Sequence, residues 1–497
     1  MELTEFYNGK CISGDSIVLT NDGMVEIGDY FDVEENGEEV YSLYKDLKIQ
    51  NRYGELEEVE AGVYSGYKDT VKIKTSEGYE IEPSLNHPLL IMNKKGKLVW
   101  KKSEKLKVGD YLCISRGDNV FGNKTTLDID MERWFEQQSP ASQRVIVKYP
   151  YPKELTEKMA LVMGYLTGDG SLTRENMFCL TNVDEDIIDN FNTFIKEAFG
   201  YQTTIIKNRI DFVINSKFIR QYFYQLGFDY SDAYEKEIPK CIMTAPKNIV
   251  AKYIQGLFDT DGGVENTTAV SFCTASEKLS KQVQTVLLNF GIVSNRRLKH
   301  SKQFKTNAYI ITITGANLDI FYKEIGFSCQ RKQDKLKEIC DTNIKRNTNI
   351  DIIPFQKDKI NSFCEKVKKF NGELKDKLYH VRKGNNQLTY SKLKLLLNAN
   401  NAENEPEHEE FTELNQLGYF YSKIDSITPS KAHVYDLSVP QTNSFIANGF
   451  VNHNTFIEVL ALILTAIFYP GVNLSMTAQT RELFLAPLYG DIHRITS

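Results

Sequence analysis

Two acidic residues occupy equivalent places in a duplicated stretch of this 497-residue chain. Ala160–Gly170 reads ALVMGYLTGDG and Lys252–Gly262 reads KYIQGLFDTDG, which aligns Gly164 with Gly256 and Asp169 with Asp261 at a constant offset of 92. Each copy is apolar on most sides, carries a glycine at its middle and ends in an acid beside glycine. A glycine inside a helix costs about 1 kcal/mol relative to alanine. Close approach of two helices supplies the compensating reason. Helices packed that way bring Asp169 and Asp261 side by side at their C-terminal ends, where the helix dipole and the like charge both disfavour ionised carboxylates. A divalent cation resolves both costs, and carboxylates holding Mg²⁺ can stabilise the attacking water and the leaving oxygen of phosphodiester cleavage. The alternative is a pair of packed helices whose acids cap an end or face solvent.

The copies continue alike. Each has a strand-like stretch (Met177–Thr181; Ala269–Thr274), then an amphipathic helix ending at Gly200 or Gly291, two further strand-like pieces, and a short helix closing on Leu226-Gly227-Phe228 or Ile325-Gly326-Phe327. With both motif copies present, residues 155 to 340 resemble the LAGLIDADG homing endonucleases. The resemblance implies an α/β fold of two pseudo-symmetric αββαββα halves, with the motif helices at their interface and strands lying on double-stranded DNA. It implies Asp169 and Asp261 as metal-binding catalytic acids, Mg²⁺ as cofactor, and a lysine beside the metals in each half. The repeat nominates Lys236, eight residues after Phe228, and Lys335, eight after Phe327.

The flanks carry four further blocks: Cys11-Ile12-Ser13-Gly14-Asp15-Ser16, Ser84-Leu85-Asn86-His87-Pro88, Val434-Tyr435-Asp436-Leu437-Ser438-Val439, and Asn448-Gly449-Phe450-Val451-Asn452-His453-Asn454-Thr455. Taken in order, they resemble the terminal blocks of inteins, the self-splicing protein elements, over residues 11 to 454. The resemblance implies an all-β, horseshoe-like splicing (Hint) domain interrupted by the endonuclease, needing no cofactor for splicing. Its chemistry starts when the Cys11 thiol attacks the Lys10 carbonyl and converts the amide to a thioester, with His87 as the acid for the departing nitrogen and Ser84 and Asn86 orienting the peptide. The Thr455 hydroxyl then takes over the acyl group, with Asp436 orienting or activating the nucleophiles. Asn454 closes a succinimide through its own carbonyl with His453 relaying the proton, and an ester-to-amide shift joins Lys10 to Thr455. Hedgehog-type autoprocessing domains share the fold and the first step but lack the terminal His-Asn with a following hydroxyl residue. Taken singly, His87 reads equally as a structural histidine and Asn448-Gly449 as a hairpin turn. The alternatives for the whole are a splicing-competent intein whose endonuclease has decayed to DNA binding, or a DNA-binding regulatory protein of the duplicated fold with neither activity.

Removing residues 11–454 creates the junction Asn8-Gly9-Lys10-Thr455, a GKT sequence. A helical run (Phe456–Phe468), a strand-like Val472–Thr477 and Ala478-Gln479-Thr480-Arg481-Glu482 follow. The order resembles the start of the ATPase domain of phage terminase large subunits, which implies that Lys10 meets nucleotide phosphates and Thr455 meets Mg²⁺. The first glycine of the general phosphate-loop pattern falls on Thr4, so the motif is degenerate, and another P-loop ATPase such as a helicase is the second reading.

These groups need positioning elements. Residues 11 to about 120 hold short β-like runs (Ser16–Thr20, Val71–Thr75, Leu89–Met92, Tyr111–Ser115), helical spacing starts at Leu155, and β-like segments return at Tyr419–Ile424, His433–Val439 and Ser444–Ile446. The organisation expected is 1–10 upstream flank, 11–150 splicing domain, 151–340 endonuclease, 341–415 a basic, mainly helical extension, 416–454 splicing domain, and 455–497 downstream flank. Asn400–Glu410 reads as a loop or linker. The net charge of −6 hides a division: residues 153–399 carry 37 Lys and Arg against 28 Asp and Glu, and 341–399 alone carry 13 against 6. That balance suits contact with a phosphate backbone, although a solvated helical face has the same composition. The eight cysteines form no CxxC pair and show no disulfide framework. The apolar run Val459–Phe468 is too short to span a bilayer, which points to no membrane partner and a cytoplasmic chain.

Overall fold

A computed structural model of the chain describes residues 10–31, 40–43, 46–172, 176–206, 210–229, 232–265, 268–300, 307–342, 351–366, 372–398 and 406–454. These form two compact units. One comprises residues up to Asn21, Glu26–Arg116 and the chain from Asn349 onward; the other comprises Asp22–Val25 and Gly117–Thr348. Among the described residues no helix is long and apolar enough to cross a membrane.

The first unit is built on a 14-stranded sheet. The strands that matter below are β1 (Ile12–Ser13), β2 (Ala61–Thr75), β3 (Pro88–Met92), β4 (Tyr111–Ile114), β5 (Phe420–Ser438), β6 (Ser444–Ala447) and β7 (Phe450–His453). Strands β2 and β5 run antiparallel from Ile424 opposite Thr75 to Ser438 opposite Ala61, with register shifts between Ile424 and Ser426 and between His433 and Tyr435. Strand β1 adds to β5 through Ile12 opposite Tyr435 and Ser13 opposite Val434. Strand β7 sets Asn452 opposite Leu89 of β3. The hairpin between β6 and β7 turns at Asn448 (φ 48°) and Gly449 (φ 82°), the positive pair that a two-residue hairpin turn requires. Asn448 also accepts the Ile17 N–H at 2.8 Å, which ties the end of the chain to its start.

Tyr419–Ile424 and His433–Val439 are parts of one 19-residue strand, not separate pieces. Pro429 lies opposite Val71 within the ladder, a position allowed where the proline's nitrogen is not asked to donate. The acidic stretch 400–410 is helical from Pro406, within Pro406–Leu417. Its apolar residues Phe411 and Leu414, both buried, lie beyond the acidic window, so the window alone shows no apolar face.

In the second unit the element order repeats. Helix α1 (Glu157–Asp169) is followed by Gly170–Ser171, Phe178–Thr181, Glu185–Phe199, Thr204–Ile205, Asp211–Ile214 and Lys217–Gln225; helix α2 (Lys247–Asp261) by Gly262–Glu265, Ala269–Thr274, Glu277–Asn289, Asn295–His300, Asn307–Thr314 and Asn317–Glu324. Both four-stranded sheets place their strands in the same spatial order, first, second, fourth, third. A third helix, α3 (Gln330–Asp341), closes the second half. Helix α1 is buried all round from Met159 to Thr167, as its nearly uniform apolar sequence requires. A Cβ on Gly164 would lie 2.3 Å from Tyr253 O, and one on Gly256 would lie 2.2 Å from Leu161 O. Only glycine at both places lets the two backbones touch.

Candidate functional site

The first site forms where β1, the turn before β3, and strands β5 and β7 meet. Ser84 brackets Cys11: its Oγ accepts the Cys11 N–H at 3.0 Å and its own N–H donates to Cys11 O at 2.9 Å. The Ser84–His87 turn is closed by the His87 N–H on Ser84 O at 3.1 Å, with Asn86 half-buried inside it. That turn aims His87 inward. Its Nδ1 lies 2.8 Å from Lys10 O and its Nε2 lies 2.9 Å from Asn452 Oδ1. The histidine therefore addresses the oxygen of the Lys10–Cys11 peptide, while the nitrogen of that peptide is held by Ser84. The Cys11 thiol donates to Ser65 Oγ at 3.3 Å.

At the other end of the segment, Asn454 donates both Nδ2 hydrogens, to Leu437 O at 3.1 Å and Val439 O at 3.2 Å. These carbonyls flank the end of β5, the strand that carries Asp436. Asn454 Oδ1 and His453 Nδ1 are buried with no hydrogen-bond partner among the described residues. His453 is packed edge-on against Trp100, with ring centroids 4.8 Å apart. Thr455 lies outside the described residues, as do the flanks 1–9 and 456–497 that carry the ATPase resemblance.

Burial dominates the electrostatics. His87 is fully enclosed, which lowers it to about 4 against the opposing hydrogen bonds to Lys10 and Asn452. Burial likewise lowers His453 to about 4, helped by the positive charge of Lys10. Asp436 is half-exposed as a residue, but its carboxyl group is enclosed. That desolvation raises it well above the usual carboxylate range against the Leu437 N–H on Oδ1 at 3.0 Å. At neutral pH the site thus holds two uncharged imidazoles, beside a carboxyl whose neutral form is favoured by its burial.

In the second unit α1 and α2 end together. A Cβ on Gly168 would lie 2.0 Å from Thr260 Oγ1 and 3.4 Å from Asp261 Oδ2, so the last turns are in contact. Asp169 accepts from Asn182 Nδ2 at 2.6 Å. Burial raises both acids, Asp261 to about 6, with Lys236 and Lys332 pulling the other way on each. Lys236 donates to Gly168 O at 2.7 Å. Its counterpart in the second half is Lys332, not Lys335. Lys332 is buried and donates to Gly262 O at 2.7 Å and to Asp259 O, whereas Lys335 is exposed on α3. The count of eight residues fails because the chain has already entered helix α3 at Gln330, where each residue advances only 1.5 Å. Asp259 sets that start. It is buried, and it accepts the N–H groups of Ser328 (3.0 Å) and Cys329 (3.1 Å) and the Ser328 hydroxyl.

Among the described residues no group of three or more His, Cys, Asp or Glu side chains is placed to hold a metal ion. Two crowded, partly desolvated carboxylates nevertheless fit a Mg²⁺-like cation, which is commonly held by one or two carboxylates together with substrate phosphates and water.

Comparison with known proteins returns one family model, the intein splicing domain, which matches residues 17–454. Among curated proteins, the chain is 31% identical over 372 residues to the replication factor C small subunit of Methanocaldococcus jannaschii, covering 72% of this chain and 18% of that protein. It is 24% identical over 492 residues to the replicative DNA helicase DnaB of Nostoc sp., covering 93% of this chain and 51% of that one. The chain thus spans about half the length, or less, of these relatives. Among solved structures, the transcription factor IIB Mvu mini-intein overlaps 21% of this chain and 70% of its own (15% identity, TM-score 0.19). A mesophilic variant of the homing endonuclease I-DmoI overlaps 34% of this chain and 95% of its own (16% identity, TM-score 0.27).

The histidine burial has a measurable consequence. A group lowered on folding, from 6.5 in the open chain to about 4 in His87, contributes stability that is complete above pH 6.5 and is lost as pH falls through 4. We expect the Cys11→Ala/Asn454→Ala protein to lose about 2–3 kcal/mol more between pH 7.5 and 4, by urea unfolding, than the same protein with His87→Leu. Equal losses would contradict the buried neutral imidazole.

Proposed function

The chain belongs to the intein splicing domain family, and from that premise we propose that residues 11–454 excise themselves and join Lys10 to Thr455. The observation that carries this reading is a single hydrogen-bonded path, from Lys10 O through His87 to Asn452, two residues before Asn454. Both ends of the excised segment share one site. The Cys11 sulfur attacks the Lys10 carbonyl, whose oxygen gains charge opposite His87 Nδ1, and the bond to the Cys11 nitrogen breaks. Ser84 holds that nitrogen and Ser65 orients the thiol. The Thr455 hydroxyl then accepts the acyl group, with Asp436 as the acid that serves this transfer. Leu437 O and Val439 O hold Asn454 Nδ2 in one rotamer for attack on its own carbonyl, and His453 exchanges protons at the bond that opens. The flanks are short pieces of a host that we read from the Gly9-Lys10-Thr455 junction as a P-loop ATPase of terminase large-subunit type. The curated relatives bear other names, as expected if what they share with this chain is the inserted segment.

The inserted unit we read as a Mg²⁺-dependent endonuclease acting on double-stranded DNA. Asp169 and Asp261 would hold the cation, which when bound supplies charge for the attacking and leaving oxygens of the phosphodiester. Lys236 and Lys332 neutralise the paired acids, and Asp259 fixes where the Lys332 helix begins. Exposed Arg297, Lys299 and His300 on the outer strand of the second sheet offer phosphate contacts.

Intact mass checks the first proposal. The wild-type chain yields products of 444 and 53 residues; Cys11→Ala/Asn454→Ala stays at 497, and Cys11→Ala alone still cleaves before Thr455. Ligated product from the double variant would exclude the mechanism. For the second, cleavage of DNA spanning the uninterrupted host gene is abolished by Asp169→Asn or Asp261→Asn while splicing persists. Lys332→Met slows cleavage by about tenfold or more, and Lys335→Met leaves it within about twofold. The reverse order of the two lysines would overturn their assignment.

A further inference from the structure

Both ring nitrogens of His87 face oxygens, Lys10 O at 2.8 Å and Asn452 Oδ1 at 2.9 Å. The amide of Asn452 is not free to turn over, because its Nδ2 donates to Phe450 O at 2.8 Å and a flip would set two oxygens against each other. A neutral imidazole has one N–H, so either tautomer leaves one lone pair pointing at an oxygen; only the doubly protonated ring satisfies both contacts. His87 and Asn452 are both fully buried, so no solvent relieves a mismatch between those two.

We propose that Asn452 is a positioning residue for the first step: its carboxamide oxygen biases His87 toward the protonated form that faces the Lys10 carbonyl, and so links the chain end that carries Asn454 to bond breaking at Cys11. The inference rests on the splicing reading and adds a residue to it. In the step, the Cys11 thiol first loses its proton to solvent base, the thiolate sulfur forms a bond to the Lys10 carbonyl carbon, the Lys10–Cys11 carbon–nitrogen bond breaks, and the His87 proton passes to the departing nitrogen. Asn452 opposes the burial that lowers His87. The charged and titratable groups that act on His87 are the Lys10 ammonium and the His453 imidazole, itself influenced by Arg52, and the same ammonium acts on the Asp436 carboxyl. All of these remain in place in the variants compared below.

Because the step needs a protonated His87 and an ionised Cys11, its rate is flat between the two pKa values and falls on the acid side below that of His87. Lowering the His87 pKa by one unit moves this inflection down by one unit and lowers the plateau tenfold. The test uses the full chain with Asn454→Ala/Thr455→Ala, which confines reaction to the first bond, and follows N-terminal cleavage across pH at saturating dithiothreitol. Asn452→Leu should move the inflection down by about one unit and slow the plateau about tenfold, and Asn452→Asp should move the inflection up by one unit or more. The opposite signs separate positioning from a general loss of packing, and if Asn452→Leu fails to fold the Asp variant decides alone. Inflections unchanged from the parent, or moved in the same direction in both variants, would overturn the proposal. A parent that does not cleave would overturn the splicing chemistry, and this proposal with it.

Discussion

The antiparallel pairing of Ala61–Thr75 with Phe420–Ser438 is the constraint on which the first site depends. The two strands are separated by more than 340 residues of chain, and closing so long a loop costs entropy that grows only slowly with its length. A ladder of 13 paired positions is set against that cost. Once it forms, β1 can add to β5, placing Cys11 one residue before Ile12, which lies opposite Tyr435. Strand β7 can then join β3 and bring Asn452 to His87. None of these contacts requires a residue of the inserted unit.

The second unit solves the equivalent problem with glycine. Contact between the backbones at Gly164 and Gly256 draws two helix ends together, and the crowding of Asp169 and Asp261 follows directly. In both units the reactive groups have acidities that isolation in water would not give them: imidazoles lowered in one, carboxyls raised in the other. Burial is the cause in each case, and each site keeps groups that oppose it, Asn452 for His87 and Lys236 for Asp261.

Local signals in the sequence were the readable ones. The repeated glycines and acids of α1 and α2, the Asn448-Gly449 turn, and the ordered blocks around Cys11, His87 and Asn454 each depend on residues close together in the chain. Ser65, Asn452 and Asp259 were not legible, because their importance arises from strand register or from a turn that meets a helix end. Lys332 was missed because equal counts of residues do not travel equal distances through a loop and through a helix. The flanks carry sequence signals only, since residues 1–9 and 455–497 lie outside the described structure.

The strand-rich unit alone assembles the residues from Cys11 to Asn454 that form the first site. Arg116 and Asp351, which bound the intervening chain on that unit, are joined by an ion pair at 2.7 Å, so a short linker can replace what lies between them. The direct measurement is the mass of the products after residues 117–350 are exchanged for a short Gly-Ser linker. If that unit suffices, Lys10 is still joined to Thr455 and the 53-residue ligated product still appears. A folded, linker-joined chain that never ligates would contradict it.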